Sequence, residues 1–322
     1  MELQYELKGF NSDSMYSNER SMLSITWSEI FHAAITLGRK DNCDVLHHPI
    51  HSFYEIKFRY YMVKAFLNEE NNRIKISNAY ETLDPSEKSA INYFNGGIFT
   101  SIIARRIFNV LYLMHIDVYK DNLYNSESLE LVQNSKDIRP DFVGKDNKDE
   151  YYIFESKART HFSRTVLNQA YNQSKNINMI NDKTPKLKLG CLTWHNNNVF
   201  KIAVKDPKET NDKAMNLLFD ESEFYLNYYA FIFNYLKMSK VRTIEEKGIN
   251  FIVSDNNCDN FEIGLELGIF NAFNENKNVL FKYILENIQR NDIFVNKIRD
   301  INLTIKDIYI GKDGVFVKWF KR

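Results

Sequence analysis

The stretch Arg139–Arg159 reads RPDFVGKDNKDEYYIFESKAR. Two short apolar segments, Asp141–Gly144 (DFVG) and Tyr151–Lys157 (YYIFESK), flank the polar run Lys145–Asp149 (KDNKD). That pattern predicts an antiparallel hairpin turned near residues 146–148. Side chains alternate along a strand, so Glu155 and Lys157 share one face and Ser156 takes the other. The hairpin carries Asp141 back beside Glu155, and two carboxylates and one ammonium converge at a sheet edge. The plain alternative is a surface hairpin with an exposed Glu155–Lys157 ion pair, worth ~0–1 kcal/mol. Apolar Tyr152, Ile153 and Phe154 argue against it, because they imply a strand covered on both faces, where unpaired charges are costly.

Such a cluster has the composition of a hard-cation site. Asp141 and Glu155, with the Ser156 carbonyl, offer oxygen ligands for Mg²⁺ or Mn²⁺. A metal held there polarises a phosphodiester and generates hydroxide from bound water. Lys157 steadies that water or the developing negative charge. Arg159 and Arg164, at the start of the next helix, are candidate phosphate contacts, helped by that helix's positive N-terminus.

Upstream, Leu83–Glu87 is a helix start. Asp84 caps the free N–H groups, Pro85 fits the first helical position and Glu87 completes a capping box. The helix is expected to run to about Leu113, with Ile91, Phe94, Ile98, Ile102 and Phe108 near one face. Gly96-Gly97 sits inside it at ~1 kcal/mol per glycine relative to alanine, which implies close backbone packing or a kink. Met114–Tyr119 reads as a strand. Downstream, Phe162–Ile177 is a helix, and Leu187–Trp194 and Val199–Val204 are strands. Lys205-Asp206-Pro207 ends the unit. The order predicts an α/β (α+β) layered core with a mixed sheet.

With Pro140-Asp141 followed by Glu155-Ser156-Lys157, the chain resembles the PD-(D/E)XK nuclease superfamily, the restriction-endonuclease-like fold, with Glu in the middle position of the motif. The resemblance covers the middle third of the chain. It implies a core of helix, three strands, helix and strand, the order read independently from about 85 to 205. It also implies Mg²⁺-dependent (or Mn²⁺-dependent) hydrolysis of a nucleic acid, with DNA favoured over RNA. Some branches place a glutamine on the helix after the motif, facing the metal. Gln169 and Gln173 stand there, four apart and so on one face. Nuclease cores with extra helical regions resemble effectors of bacterial restriction or phage defence. There is one departure: many members carry an acid on the first core helix, and Asn92–Ile116 contains none. Glu87 precedes that span, and Asp117, Glu127 and Glu130 follow it.

The chain's 322 residues suggest roughly two domains, at about 100–200 residues each. Forty-two basic and 42 acidic residues cancel, so no blanket of positive charge exists and any polyanion site is a local patch. Arg105-Arg106, Lys183–Lys188 (KTPKLK) and Lys318–Arg322 (KWFKR) are the basic groups that could outline a groove. Cys43, Cys191 and Cys258 stand far apart without a CxxC, as free thiols of a reducing cytoplasm do. No secretory signal opens the sequence. The greasiest stretch, Phe224–Met238, is shorter than the ~20 residues a membrane span needs and is interrupted by Asn227 and Asn234. A soluble cytoplasmic protein without a membrane partner is the expectation. His47, His48 and His51 lie near Glu55 but have no cysteine partner, and read as ordinary loop histidines. Walker A, GxGxxG and GxSxG motifs are absent from the sequence.

Three regions are expected. Residues 1–83 are mainly helical (Trp27–Leu37 and His51–Leu67, with a loop-like Gly38–Pro49 between). Residues 84–207 form the nuclease-like core. Residues 208–322 form an α/β lobe. In that lobe we expect an aromatic core helix over about 212–238, strands at 249–254 and 261–269, a helix at 276–289, and a hairpin Ile308–Trp319 turned at Asp313-Gly314. The function expected is a metal-dependent nuclease. The alternative is a catalytically weak nuclease-fold subunit that binds nucleic acid, a partner protein or a second copy. The missing helix acid favours the alternative; Lys157 beside two carboxylates favours the enzyme.

Overall fold

The computed structural model describes residues 1–10, 15–125, 139–206, 214–255, 260–289 and 291–320. Glu127, Glu130, Pro207, Cys258, Lys321 and Arg322 lie outside the described residues, as do residues 212 and 213 of the expected aromatic helix. The helices in chain order are α1 (Trp27–Thr36), α2 (Asn42–His47), α3 (Pro49–Phe66), α4 (Asn78–Glu81), α5 (Pro85–Arg106), α6 (Arg164–Ser174), α7 (Glu221–Met238), α8 (Leu267–Glu275), α9 (Lys277–Tyr283) and α10 (Asp292–Thr304). The chain divides into two units: Met1–Ile25 with Tyr61–Phe219, and Thr26–Tyr60 with Asp220–Arg322.

The first unit holds β1 (Glu2–Lys8), β2 (Arg20–Ser24), β3 (Leu67–Glu70), β4 (Arg73–Ile76), β5 (Val110–His115), β6 (Leu123–Asn125), β7 (Phe142–Asp146), β8 (Tyr151–Arg159), β9 (Ile177–Ile180), β10 (Leu187–Asn196), β11 (Val199–Lys205) and β12 (Met215–Leu217). Its fold class is α/β with a mixed, curled sheet. β5, β7 and β8 are successively antiparallel, β8 runs parallel to β10, and β11 returns antiparallel. β1 then adds parallel to β11 and carries β2 on its other side. The β3–β4 hairpin joins β1 and β11 through single residue pairs. β6, β12 and β9 make a small separate sheet.

The core order is α5, β5, β7, β8, α6, β10, as the sequence pattern leads one to expect. The start of α5 forms as its residues require. Asp84 Oδ1 accepts from the N–H of Ser86 at 2.6 Å and of Glu87 at 3.1 Å, and Glu87 Oε2 accepts from Asp84 N at 3.0 Å. Mid-helix, a Cβ on Gly96 would lie 3.0 Å from Ala158 Cβ and 3.2 Å from Ser156 Oγ. The glycine therefore serves close packing on β8 within a continuous helix. On the other face, a Cβ on Gly190 would meet Tyr171 N at 2.3 Å, so β10 and α6 touch backbone to backbone. Leu167, Leu192 and Ala203 seal that layer, with Val166 and Trp194 packed against them.

Several boundaries differ from expectation. The first 83 residues supply four strands beside the helices α1–α4, and those strands are not among the expected elements. β1 buries Leu3, Tyr5 and Leu7 in strict alternation, a period-two signal that goes with a strand half-covered on one face. α5 ends at Arg106, and the first core strand is 110–115. Most of Met114–Tyr119 belongs to a 3₁₀ segment, Ile116–Asn122. Gly38–Pro49 contains α2. Thr26–Tyr60 belongs with the C-terminal residues, so the divisions at 83/84 and 207/208 are not those of the fold.

The second unit contains one antiparallel sheet: β13 (Val241–Glu246), β14 (Ile249–Ser254), β15 (Phe261–Glu266), β17 (Val315–Trp319) and β16 (Ile308–Ile310), in that spatial order. β13 and α10 were not expected. Residues 267–269 open α8 instead of extending the strand, and the helix over 276–289 becomes α9 followed by a π-helical segment, Ile284–Gln289. The aromatic helix α7 starts at Glu221 and is buried nearly all round, as a core helix is. The β16–β17 hairpin turns at Asp313-Gly314, with Gly314 at φ 77°. Asp313 is buried there, and its carboxylate accepts from Tyr228 OH at 2.5 Å and contacts His32 Nε2 at 3.2 Å. Tyr60 packs against Phe261 and Trp319 with ring centroids 4.5 and 4.6 Å apart. Among the described residues no helix is long and apolar enough to cross a membrane.

Candidate active site

The β7–β8 register pairs Phe142 with Phe154. The next rung outward brings Asp141 to Glu155, just past the end of β7. There each acid binds the other's strand. Asp141 N donates to Glu155 Oε2 at 2.9 Å, and Ser156 N donates to Asp141 Oδ2 at 2.9 Å. Both carboxylates are thereby fixed by main-chain donors, which fold only when the hairpin folds.

Lys157 projects on the same face as Glu155, as alternation demands, and its ammonium pairs with Glu155 Oε1. Glu155 is fully buried while the Lys157 side chain keeps 28% of its surface, so the ammonium marks the boundary between protein and solvent. Lys157 Nζ also donates to Gln173 Oε1 at 3.2 Å, and Gln173 Nε2 donates to the Arg139 carbonyl at 2.7 Å. Arg139 in turn pairs with Asp117. On the opposite face of β8, Ser156 Oγ lies 2.9 Å from Thr100 Oγ1 of α5.

Burial pushes the Glu155 carboxyl up to about 8, with the Asp141 charge adding to it and Lys157 opposing it. Loss of water around a buried carboxyl raises its pKa toward neutrality, and a nearby like charge adds to the effect. Burial likewise pushes the neighbouring Cys191 thiol up to about 12. A thiol in that state is inert, which excludes Cys191 as a nucleophile.

Of the residues singled out in the sequence, Asp141, Glu155, Ser156, Lys157 and Gln173 meet. Gln169, one turn earlier on α6, is exposed. Arg159 and Arg164 are exposed as well, and the Arg159 guanidinium rests on the Ala158 carbonyl at 2.7 Å. The KTPKLK run does not outline a groove. Lys183 pairs with Asp149 at 2.7 Å, Lys186 pairs with Glu150, and Lys188 is buried. The run closes on the acidic tip of the β7–β8 hairpin. Arg139, Asp117, Thr100 and Gly190 carry no site signal in the sequence. Their roles arise from contacts between elements far apart in the chain. His47, His48 and His51 lie in and beside α2 and α3, and His51 Nδ1 contacts Asp44 at 3.0 Å.

Among the described residues no group of three His, Cys, Asp or Glu side chains gathers as a metal cage. Asp41 and Asp44, near the histidines, are engaged as a helix cap and an ion-pair partner. The pair Asp141 and Glu155, with the Ser156 carbonyl, nevertheless suits a hard divalent cation. The donors are all oxygen, and the Asp141 charge lies close enough to add to the burial that raises the Glu155 carboxyl. Mg²⁺ commonly takes only one or two protein carboxylates and completes its shell with water and substrate phosphate. The chain was compared with family models, with curated proteins and with solved structures, and nothing matches it.

Proposed function

We propose that the protein is a metal-dependent nuclease that hydrolyses phosphodiester bonds, in DNA in preference to RNA. The observation that supports this reading is the clasp of Asp141 and Glu155 with Lys157 at the open end of the β7–β8 hairpin. It occurs within the element order α5, β5, β7, β8, α6, β10 that the PD-(D/E)XK resemblance implies. Asp141, Glu155 and the Ser156 carbonyl would hold Mg²⁺ or Mn²⁺. Bound there, the cation supplies Lewis acidity toward a phosphodiester and acidifies its own water. Lys157 places its ammonium at the solvent boundary, where negative charge would develop on phosphate oxygens. Gln173 is a positioning residue: anchored on the Arg139 carbonyl, it orients the ammonium. A place in bacterial restriction or phage defence follows from the resemblance alone.

A second reading is a nuclease-fold subunit that binds nucleic acid or a partner protein without cutting. The two-carboxylate donor set favours it. The two readings separate in a cleavage assay on plasmid, linear duplex and single-stranded DNA and on RNA, with Mg²⁺ or Mn²⁺. Wild type is run beside Asp141→Ala and Lys157→Ala. Metal-dependent cutting lost in both variants supports the nuclease. Equal cutting by all three proteins refutes the site, and retention of nucleic acid without cutting supports the second reading.

A further inference from the structure

A cavity lies wholly in the unit formed by Thr26–Tyr60 and Asp220–Arg322, among residues other than those of the carboxylate clasp. It is lined by residues of β14, β15, α8, α9, the π-helical segment and α10, and has a volume of about 410 Å³, within the range of roughly 300–1,000 Å³ typical of small-molecule sites. Its polar lining includes Asn250, Asn271 and Asn287 together with Glu266, Tyr283 and Lys297.

These groups are arranged, not merely present. Glu266 Oε2 accepts from Ile269 N at 2.9 Å as the cap of α8, and Oε1 accepts from Tyr283 OH at 3.1 Å. Burial and the Glu266 charge push the Tyr283 phenol up, so it stays a donor toward Glu266. A carboxylate has about four acceptor positions, and these two bonds leave both oxygens able to take another. Gly268 makes the pair possible, because a Cβ there would lie 2.0 Å from the Tyr283 hydroxyl. Lys297 Nζ donates to the Gly248 carbonyl at 3.4 Å, leaving ammonium protons for an anion. Asn287 comes from the π-helical segment, a rare conformation found often at functional sites.

The groups differ in kind, and each kind matches one part of a single ligand. A fixed carboxylate with spare lone pairs suits the adjacent hydroxyls of a ribose, as acidic residues do in dinucleotide folds. Carboxamides present both a donor and an acceptor edge, which is what pairs with a base. A lysine is a phosphate binder. We propose that this cavity binds a nucleoside monophosphate, with the base on the asparagine carboxamides, the ribose on Glu266 and the phosphate on Lys297.

The test is calorimetric titration of the full chain with AMP, GMP, CMP and UMP, then with the matching nucleoside, in wild type, Lys297→Ala and Asn271→Ala. Both substituted side chains reach solvent, and equal thermal unfolding of the unliganded proteins confirms that the folds are intact. We expect saturable binding of at least one nucleotide, weakened about tenfold or more by Lys297→Ala, the usual loss for a hydrogen bond to a charged group. The nucleoside should be insensitive to that change, and Asn271→Ala should reduce discrimination among bases. No saturable binding by any of the four nucleotides, or binding that neither variant alters, overturns the proposal. Nuclease activity is not read in this experiment, so its outcome is independent of the function proposed for Asp141, Glu155 and Lys157.

Discussion

Glu155→Gln is the perturbation whose consequence follows most directly from the buried clasp. In an unfolded chain the Glu155 carboxyl titrates near 4.5; in the fold it is pushed up to about 8. The folded state therefore keeps a proton that the unfolded state releases across that window. Stability contributed by the neutral carboxyl is complete below pH 4.5 and is lost as pH rises toward 8. At 1.36 kcal/mol per tenfold change in acidity, the loss amounts to about 5 kcal/mol. Glutamine fills the same space, still accepts from Asp141 N and does not titrate. The stability of Glu155→Gln minus that of wild type should grow by several kcal/mol between pH 4.5 and 8. The offset at any one pH also contains the lost Lys157 pair, so the slope is the informative quantity. Native-state hydrogen exchange of the β8 amides in urea, repeated across pH, reads it for this unit alone. A divalent cation should lift wild type at pH 8 by about 2.7 kcal/mol at a hundredfold excess over its dissociation constant, and leave the variant behind. Parallel pH curves for the two proteins would refute the raised Glu155 carboxyl.

Three further outcomes follow. Gly190→Ala puts a methyl 2.3 Å from Tyr171 N and 2.7 Å from Ala170 C, all helix backbone; it should cost about 3 kcal/mol in urea unfolding, at the upper end of overpacking effects. Lys188 is buried without a hydrogen-bond partner among the described residues, and burial pushes its ammonium down from the ordinary lysine value; Lys188→Met should raise stability by about 1–2 kcal/mol, read as a higher urea midpoint. Gln173→Ala should lower cleavage activity by roughly tenfold through misorientation of Lys157, while exposed Gln169→Ala should leave it unchanged; equal effects would count against the Lys157–Gln173 contact.

The hairpin was legible because its information is local. Apolar residues on both sides of KDNKD fix the strands, and alternation fixes which faces Glu155 and Lys157 take. The capping box at Asp84 is equally local, spanning four residues. The sequence pattern puts the first core strand about four residues late because Val110–His115 is buried at every position, and a continuous apolar run after a helix carries no period to separate them. The alternation of Leu3, Tyr5 and Leu7 was available in the sequence, whereas the partner of β1 was not: β11 lies about 200 residues away. The grouping of Thr26–Tyr60 with the C-terminal residues is non-local in the same sense. Within the site, spacing puts Gln169 and Gln173 on one helix face, but where α6 seats on the sheet, close against β10 at Gly190, is non-local, and of the two only Gln173 bonds Lys157.

The central claim is that Asp141 and Glu155 form a divalent-cation site. The most direct measurement is Mn²⁺ binding followed by electron paramagnetic resonance, on wild type and on Asp141→Asn with its fold checked by circular dichroism. The account predicts one saturable Mn²⁺ site in wild type, displaced by Mg²⁺ and lost in Asp141→Asn. Equal binding by both proteins, or none by wild type, would contradict it.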